Sequence, residues 1–304
     1  MRRDWSFNAC RNGSATPRPR LSLHHKVLVH SSSRGHRITI ATQSAHEIYG
    51  KLVQANGRHP MTVLGHTTMV FDSELQALSC RIAEMGGLVE QQIVEAIGAL
   101  TNRDQERGGQ VVAADAMIDV MQRTIEESAV ETIARHQPVD VNLRQLVGIL
   151  RIVNELERIG DLAKNIGKRV GAIKSEHMSR QAMGGVRHMA MLALEQLRDV
   201  LDSFASRNVT KAVEVWARDQ HVDRLYTSLF RELLTHMSDD PSTAIFGVHL
   251  VFCTKNIERI GDHTTNIAEA VHYMVRGFAL REDRPKADLT PAFALERQAY
   301  GGML

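Results

Sequence analysis

Cysteine, aromatic residues and long apolar runs are all scarce in this chain of 304 residues. Its three cysteines show no Cys-x-x-Cys spacing, so neither a disulfide framework nor a thiolate zinc site is indicated, and a reducing compartment fits best. Aromatic residues make up 5% of the chain and apolar residues 43%, a composition typical of helix bundles. No apolar run approaches the roughly 18 to 20 residues that span a bilayer. We therefore expect a protein that is soluble or at most peripheral to a membrane.

Signatures of catalysis and of nucleic-acid binding are also missing. The chain has no nucleophile elbow, no Walker loop and no dinucleotide fingerprint, and no segment indicates a pocket. Its formal charge of +2 gives no sign of a nucleic-acid partner. We predict that the protein is not an enzyme and binds no nucleic acid.

The two ends of the chain differ from its middle. Residues 1–68 are basic, with almost no acids and with Ser-rich and Pro-containing patches, and we expect them to be disordered. An organellar transit peptide has a similar composition, but we favour a mis-set start, with translation beginning at Met61 or Met69. Residues 281–304 lose periodicity and are expected to form a flexible tail.

A repeat is the strongest signal in the sequence. Residues 157–161, Glu-Arg-Ile-Gly-Asp, return unchanged at residues 258–262, and an Asn-Ile pair follows each copy at the same distance. Duplication of one unit is the simplest explanation. We place the first unit at residues 69–178 and the second at residues 179–280.

Each unit has the apolar periodicity of three helices. We expect the first helix to begin at a capping box formed by Ser73 and Gln76, and the join between the units to lie at Gly184-Gly185. The middle helix of the second unit should run unbroken from about Val209 to Met237. In the third helix of the first unit, apolar or small residues at spacings of three and four form a packing stripe: Ile152, Leu156, Ile159, Ala163, Ile166 and Val170. The predicted fold is all-α, with two tandem three-helix bundles.

Acidic residues pair at a spacing of four on two helices of each unit. At about 100° per residue, Glu157 and Asp161 fall on the side of their helix opposite the apolar stripe, so we expect the carboxylates to face outward. The middle helices carry a second pair at the same spacing. The eight candidate metal ligands are Asp115, Asp119, Glu157, Asp161, Asp219, Asp223, Glu258 and Asp262.

Neighbouring helices could bring the four carboxylates of each unit together around a cation. Such an oxygen-rich set suits Mg, Mn, Ca or iron better than copper or a closed zinc site. Asn165 and Asn266 are candidate additional donors, and His263 is one in the second unit alone. The opposite interpretation, that the acids only keep a helix face solvated, stays open. Gly160 and Gly261 indicate close helix approach rather than a phosphate loop.

Three segments carry a resemblance to a known family. Residues 156–161 (Leu-Glu-Arg-Ile-Gly-Asp), residues 257–262 (Ile-Glu-Arg-Ile-Gly-Asp) and residues 85–92 (Met-Gly-Gly-Leu-Val-Glu-Gln-Gln) closely resemble the PhoU family of phosphate-specific transport system accessory proteins. The resemblance covers about residues 71–277. It implies two three-helix bundles, cytoplasmic residence, a homodimer, and metal clusters held through the Glu/Asp-x-x-x-Asp motifs. The ions would be divalent or trivalent, with Mg, Mn, Fe and Zn all open.

The same resemblance implies a regulator of phosphate homeostasis. PhoU proteins restrain phosphate uptake and the phosphate-starvation (Pho) regulon. They act between the ATPase subunit of the phosphate ABC transporter and the sensor histidine kinase of the phosphate two-component system. We take this as the leading hypothesis. The alternatives are a carboxylate-bridged, metal-dependent phosphohydrolase and an inert helical scaffold.

Overall fold

The structure, a computed structural model, describes residues 61–173 and 180–280. In this part of the chain the regular elements are helices, with no strand among them, so the all-α prediction is confirmed. The helices are α1 (Met61–Asn102), α2 (Gln105–His136), α3 (Asp140–Val170), α4 (Arg180–Ser206), α5 (Val209–Arg218), α6 (Gln220–Asp239) and α7 (Ala244–Arg276), with a 3-10 turn at Pro241–Thr243 before α7. Within these residues, no helix combines the length and the apolar character that crossing a membrane requires.

Two bundles of the same design follow each other along the chain, α1–α3 and then α4–α7. The turn after the first helix is built alike in both. Asp104 caps α2 and Asn208 caps α5, each accepting the backbone N–H three residues onward, at 3.0 and 3.1 Å. The residues before these caps, Arg103 and Arg207, both take the left-handed backbone conformation, with φ of 57° and 52°. The predicted duplication is therefore present in the backbone as well as in the motifs.

The third helix of the first bundle is deeply buried. Its predicted apolar stripe is confirmed, since no member is more than 1% exposed. Each fully buried aliphatic side chain of this kind stabilises the fold by about 1.5–3 kcal/mol relative to an exposed one. The stripe therefore fixes how α3 is rotated in its bundle, and with it the direction of the acids on α3.

The two third helices, α3 and α7, pack antiparallel and join the bundles. Near the start of α3, Gly148 lies against the side chain of Met274 near the end of α7. Near the end of α3, the guanidinium of Arg169 lies 4.1 Å from the ring centre of Phe252, close to the start of α7. A Cβ on Gly148 would collide with the methionine, so this glycine permits the close approach.

The first helix begins earlier than predicted. Helix α1 runs from Met61 through Ser73 without interruption, so the expected capping box does not start a helix. Residues 61–68 were assigned to the disordered extension and are helical instead. No proline lies between residues 61 and 73 to break the pattern, so a helix formed further on can extend backwards. The predictions for residues 1–60 and 281–304 lie outside the described residues.

Two expectations in the second bundle are also wrong. Gly184 and Gly185 lie inside α4 and not in a join, because the packing of Gly185 against Leu229 offsets the cost of helical glycine, about 1 kcal/mol. The middle helix is interrupted at Asp219, where α5 gives way to α6. There the N–H of Val222 reaches back only three residues, to the carbonyl oxygen of Asp219 at 2.9 Å, which tightens the turn.

Candidate functional site: two buried acid clusters

The eight predicted carboxylates gather into two groups, one in each bundle. The first acid cluster, between α2 and α3, comprises Asp115, Asp119, Glu157 and Asp161. The second acid cluster, between the α5–α6 junction and α7, comprises Asp219, Asp223, Glu258 and Asp262. In the first cluster, burial and then the negative charges of the other three members raise the pKa of Glu157. The acids of each bundle therefore act on one another, as the repeat predicted.

For half of the eight acids, burial contradicts the expectation that the carboxylates face outward. Four of them are nearly inaccessible: Asp115 (3% exposed), Asp219 (1%), Asp223 (2%) and Glu258 (5%). The other four are half-buried. The projection of a single helix was wrong because the side of each third helix that turns away from its apolar stripe is covered by the middle helix of the same bundle. A buried charge is costly unless it is paired, so each cluster needs something positive.

Two buried glutamines complete the clusters, and the sequence analysis missed their role. Gln92 Nε2 donates to Asp115 Oδ1 at 3.1 Å, while Gln92 Oε1 is buried without a hydrogen-bond partner. Gln196 Oε1 is likewise buried without a partner. Gln196 follows Gln92 by 104 residues, the same offset that separates Asp115 from Asp219, so the register of the repeat could have revealed them.

The glycine of each repeated motif lets these groups meet. A Cβ on Gly160 would lie 3.1 Å from Gln92 Oε1, and a Cβ on Gly261 would lie 2.9 Å from Asp219 Oδ1 and 3.5 Å from Gln196 Oε1. Any larger residue would push the polar atoms away. The prediction that these glycines mark close helix approach is confirmed.

Lys164 supplies a positive charge inside the first acid cluster. Its Nζ donates to Asp115 Oδ2 and to Asp161 Oδ1, both at 2.5 Å. These hydrogen bonds, that to Asp115 foremost, raise the pKa of Lys164 well above its usual value. Charge-assisted contacts of this kind are among the strong hydrogen bonds of proteins. Lys164 was not among the predicted site residues, although its position three residues after Asp161 on one helix was a usable signal.

The second acid cluster carries no lysine in that place. Thr265 holds the position equivalent to Lys164, and its hydroxyl donates to the carbonyl oxygen of Asp262 at 2.7 Å. Lys255 approaches from the edge, with its side chain 39% exposed and its Nζ 2.9 Å from Glu258 Oε2. Even so, burial, helped by the charges of two other cluster members, raises the pKa of Glu258 to about 7. In both clusters, then, burial and neighbouring carboxylates disfavour the charged form of the motif glutamate.

The candidate additional ligands lie elsewhere. His263 Nδ1 is 2.7 Å from Glu155 Oε2, and Asn266 Nδ2 donates to the same oxygen at 2.9 Å. Although burial opposes its ionisation, these contacts hold the pKa of Glu155 below its usual value. His263 and Asn266 therefore tie α7 to α3 across the bundle interface, while Asn165 is exposed on α3. The repeat alone does not indicate these contacts, because it relates residues within each bundle and not between the bundles.

The two clusters offer the same kinds of oxygen donor. Across residues 61–173 and 180–280, no three Asp, Glu, His or Cys side chains are already gathered closely enough to hold a metal ion. Both clusters contain carboxylate oxygens and a buried glutamine oxygen without a hydrogen-bond partner, Gln92 Oε1 in the first and Gln196 Oε1 in the second, which are donors that hard cations prefer. In the first cluster, Lys164 Nζ contacts two of the carboxylates.

The acid clusters are separate from a cavity of about 570 Å³ that lies between the bundles. Helices α1 and α4 form much of its wall, including the ion pair between Glu90 and Arg198. None of the eight acids lines it. No segment of the sequence indicated this pocket, because it arises from the packing of two bundles.

Comparison with known proteins identifies the family. A family model described as the PhoU domain matches residues 82–170 and residues 186–271, one match in each bundle. Over 225 residues the chain is 48% identical to the phosphate-specific transport system accessory protein PhoU homolog of Rhizobium meliloti, covering 74% of this chain and 95% of that protein. The chain belongs to the PhoU family.

Solved PhoU structures share its fold. The crystal structure of PhoU from Pseudomonas aeruginosa superimposes with a TM-score of 0.66 at 37% identity, covering 68% of this chain and 100% of that one. The phosphate transport system regulatory protein PhoU from Streptococcus pneumoniae gives a TM-score of 0.64 at 27% identity, covering 70% and 100%. The family resemblance seen in the repeated motifs is confirmed.

Proposed function

We propose that this PhoU-family chain is a negative regulator of phosphate uptake and of the phosphate-starvation genes. The observation that carries the proposal is the 48% identity to the Rhizobium meliloti relative, an accessory protein of the phosphate-specific transport system, across 95% of its length. The Streptococcus pneumoniae relative is described as a regulatory protein of the phosphate transport system. Both descriptions favour a regulatory role here.

The protein acts in this proposal by docking, not by catalysis. It stands as a cytoplasmic homodimer between the ATPase subunit of the phosphate ABC transporter and the sensor histidine kinase, and it reaches the membrane only through these complexes. An apolar strip on α7 supports docking, since Ile245 (77% exposed), Val248 (46%) and Phe252 (49%) share one side of the helix. Exposed apolar patches on globular proteins commonly mark protein contacts.

Bound cations form the second part of the proposal, with Mg, Mn, Fe and Zn as the candidate metals. The oxygen donors of the acid clusters and the buried, unpartnered Gln196 Oε1 support it. A bound ion would supply positive charge to buried carboxylates. In the second cluster, Asp219 and Asp223 come from the middle helix and Glu258 from α7, so their shared neutralisation would hold α6 against α7.

Deletion of the gene tests the regulatory role. A reporter driven by a phosphate-starvation promoter and the rate of phosphate uptake are measured in phosphate-rich medium. Both should rise in the deletion strain and return to normal when the full chain is supplied from a plasmid. Unchanged repression and unchanged uptake in the deletion strain would contradict the proposal.

A further inference from the structure

The cavity between the bundles has the size and the lining of a ligand site. Its volume of about 570 Å³ lies within the range of about 300–1,000 Å³ that is usual for small-molecule sites in proteins. Such sites combine an apolar lining with a few polar groups that fix the orientation of the ligand. Both bundles contribute the apolar lining, which includes Leu75, Ile149, Leu201, Phe204 and Met274.

Two polar side chains, Gln145 and Arg207, lie together at one end of this cavity. Both also line a smaller pocket of about 120 Å³, so they stand where the two spaces adjoin. Gln145 on α3 is only 7% exposed, and its Oε1 accepts a hydrogen bond from Arg207 Nη2 at 3.1 Å. Among the described residues, Gln145 Nε2 has no acceptor. This amide group is therefore a buried donor that an acceptor entering the cavity would satisfy.

Arg207 gives this end of the cavity a positive charge that no acid balances. Its guanidinium hydrogen-bonds to a neutral amide, and no carboxylate in the described part of the chain pairs with it. The remaining charged groups at the wall are two ion pairs and an exposed acid: Glu90 with Arg198, Asp202 with Lys211, and Asp72. A carboxylate matches the donors of a guanidinium well, so this end favours a carboxylate.

We propose that the cavity between the bundles binds a small amphiphilic carboxylate, a molecule with a carboxylate head and an apolar chain, such as a fatty acid. The head accepts hydrogen bonds from Arg207 and from Gln145 Nε2, and the chain lies along the apolar wall. Because this wall combines α1 and α3 with α4 and α7, the ligand contacts both bundles and stabilises their packing. The site is independent of the acid clusters and goes beyond the proposed regulatory role.

Titration calorimetry with dodecanoate, below its micelle-forming concentration, tests the charge requirement. The full chain should bind one dodecanoate. Dodecanol, which has the same chain and a neutral head, and acetate, which lacks the chain, should each bind at least about tenfold more weakly. Arg207→Gln should weaken dodecanoate binding by about 10- to 100-fold. The matched control Arg103→Gln alters the equivalent turn of the first bundle, outside the cavity, and should leave binding unchanged.

Filling the cavity provides a test that does not depend on Arg207. Gly87 on α1 lines the cavity, and a Cβ added there would meet no atom within 4 Å. Gly87→Leu should therefore place its side chain in the space of the ligand and weaken binding at least about tenfold. Gly109→Leu, likewise in open space but on α2 and outside the cavity, is the matched control. Leucine is the better helix former, so neither helix should be destabilised.

Nuclear magnetic resonance of methionine methyl groups locates the ligand. The signal of Met274, which lines the cavity, should shift with dodecanoate, whereas that of Met117, 58% exposed on α2, should not. Circular dichroism checks that each variant is folded. The inference would be overturned if dodecanoate did not bind, if dodecanol bound equally well, if Arg207→Gln or Gly87→Leu bound as tightly as the wild type, or if the Met274 signal did not move.

Discussion

Glu258→Gln should stabilise the protein at neutral pH and leave it unchanged in acid. The pKa of Glu258 is about 7 in the folded chain against an ordinary value of 4.5, so burial penalises the charged form. A group whose pKa is raised in the folded state contributes most to stability at pH values below its unfolded-state pKa. This contribution is lost as the pH rises toward 7. The difference of about 2.5 pKa units corresponds to about 3 kcal/mol in full.

The substitution also removes a favourable contact. Glutamine has nearly the same shape and no charge, so it abolishes the penalty and loses the ion pair with Lys255, whose side chain is 39% exposed. The pKa of about 7 already includes the favourable effect of Lys255, so the loss of this pair is not subtracted again. The net gain of Glu258→Gln at about pH 8 should therefore be about 3 kcal/mol, shrinking to nearly zero at about pH 4.5.

Urea unfolding followed by circular dichroism measures this difference, in EDTA, at several pH values. Glu157→Gln is the matched control, because it is the corresponding position of the first cluster, is half-buried and should show a smaller gain. Adding Mn²⁺ at neutral pH should stabilise the wild type and reduce the advantage of Glu258→Gln. A difference that does not change with pH, or a variant less stable than the wild type at about pH 8, would refute the reasoning.

Three further predictions concern stability and use the same unfolding assay. Gly261→Ala should lower the free energy of unfolding by about 1–3 kcal/mol, because its Cβ would meet Asp219 Oδ1 at 2.9 Å. Gly109→Ala, in open space on α2, should raise the free energy of unfolding by up to about 1 kcal/mol. Equal effects of the two substitutions would contradict the close approach at Gly261. Asp104→Ala should cost about 1 kcal/mol through loss of the α2 cap, and no loss would refute the capping role. Glu155→Gln should lower the free energy of unfolding by about 1.5–3 kcal/mol at neutral pH and by little in acid. The pKa of Glu155 is lowered in the folded protein, so its contribution to stability is present above its unfolded pKa and is lost as the pH falls. A loss of stability that does not change with pH would contradict this.

Much of the fold was readable from local signals. The end of α2 before Pro138, the cap of the turn at Pro241 by Asp240, and the end of α7 at Gly277 follow from rules that involve only a few neighbouring residues. The repeated motif gave the two-bundle architecture because identical segments fold alike. The start of α1 at Met61 was not predicted, because no Ser, Thr, Asp or Asn directly precedes it as a cap.

The burial of the acids could not be read in the same way. Projecting Glu157 and Asp161 on one helix shows which side they take, but not that α2 covers this side. Gln92 and Lys164 reach the first acid cluster from positions that only the packed bundle brings together. Sequence thus predicted which acids meet, and the structure added how each cluster is neutralised.

Repression by a variant of the second acid cluster tests the central claim most directly. The combined variant Asp219→Asn, Asp223→Asn and Glu258→Gln keeps the side-chain shapes and removes the charges that would hold an ion. It is supplied to the deletion strain in phosphate-rich medium, with its folding and abundance checked against the wild type. We expect a folded protein that no longer represses the phosphate-starvation reporter. Repression equal to that of the wild type would contradict it.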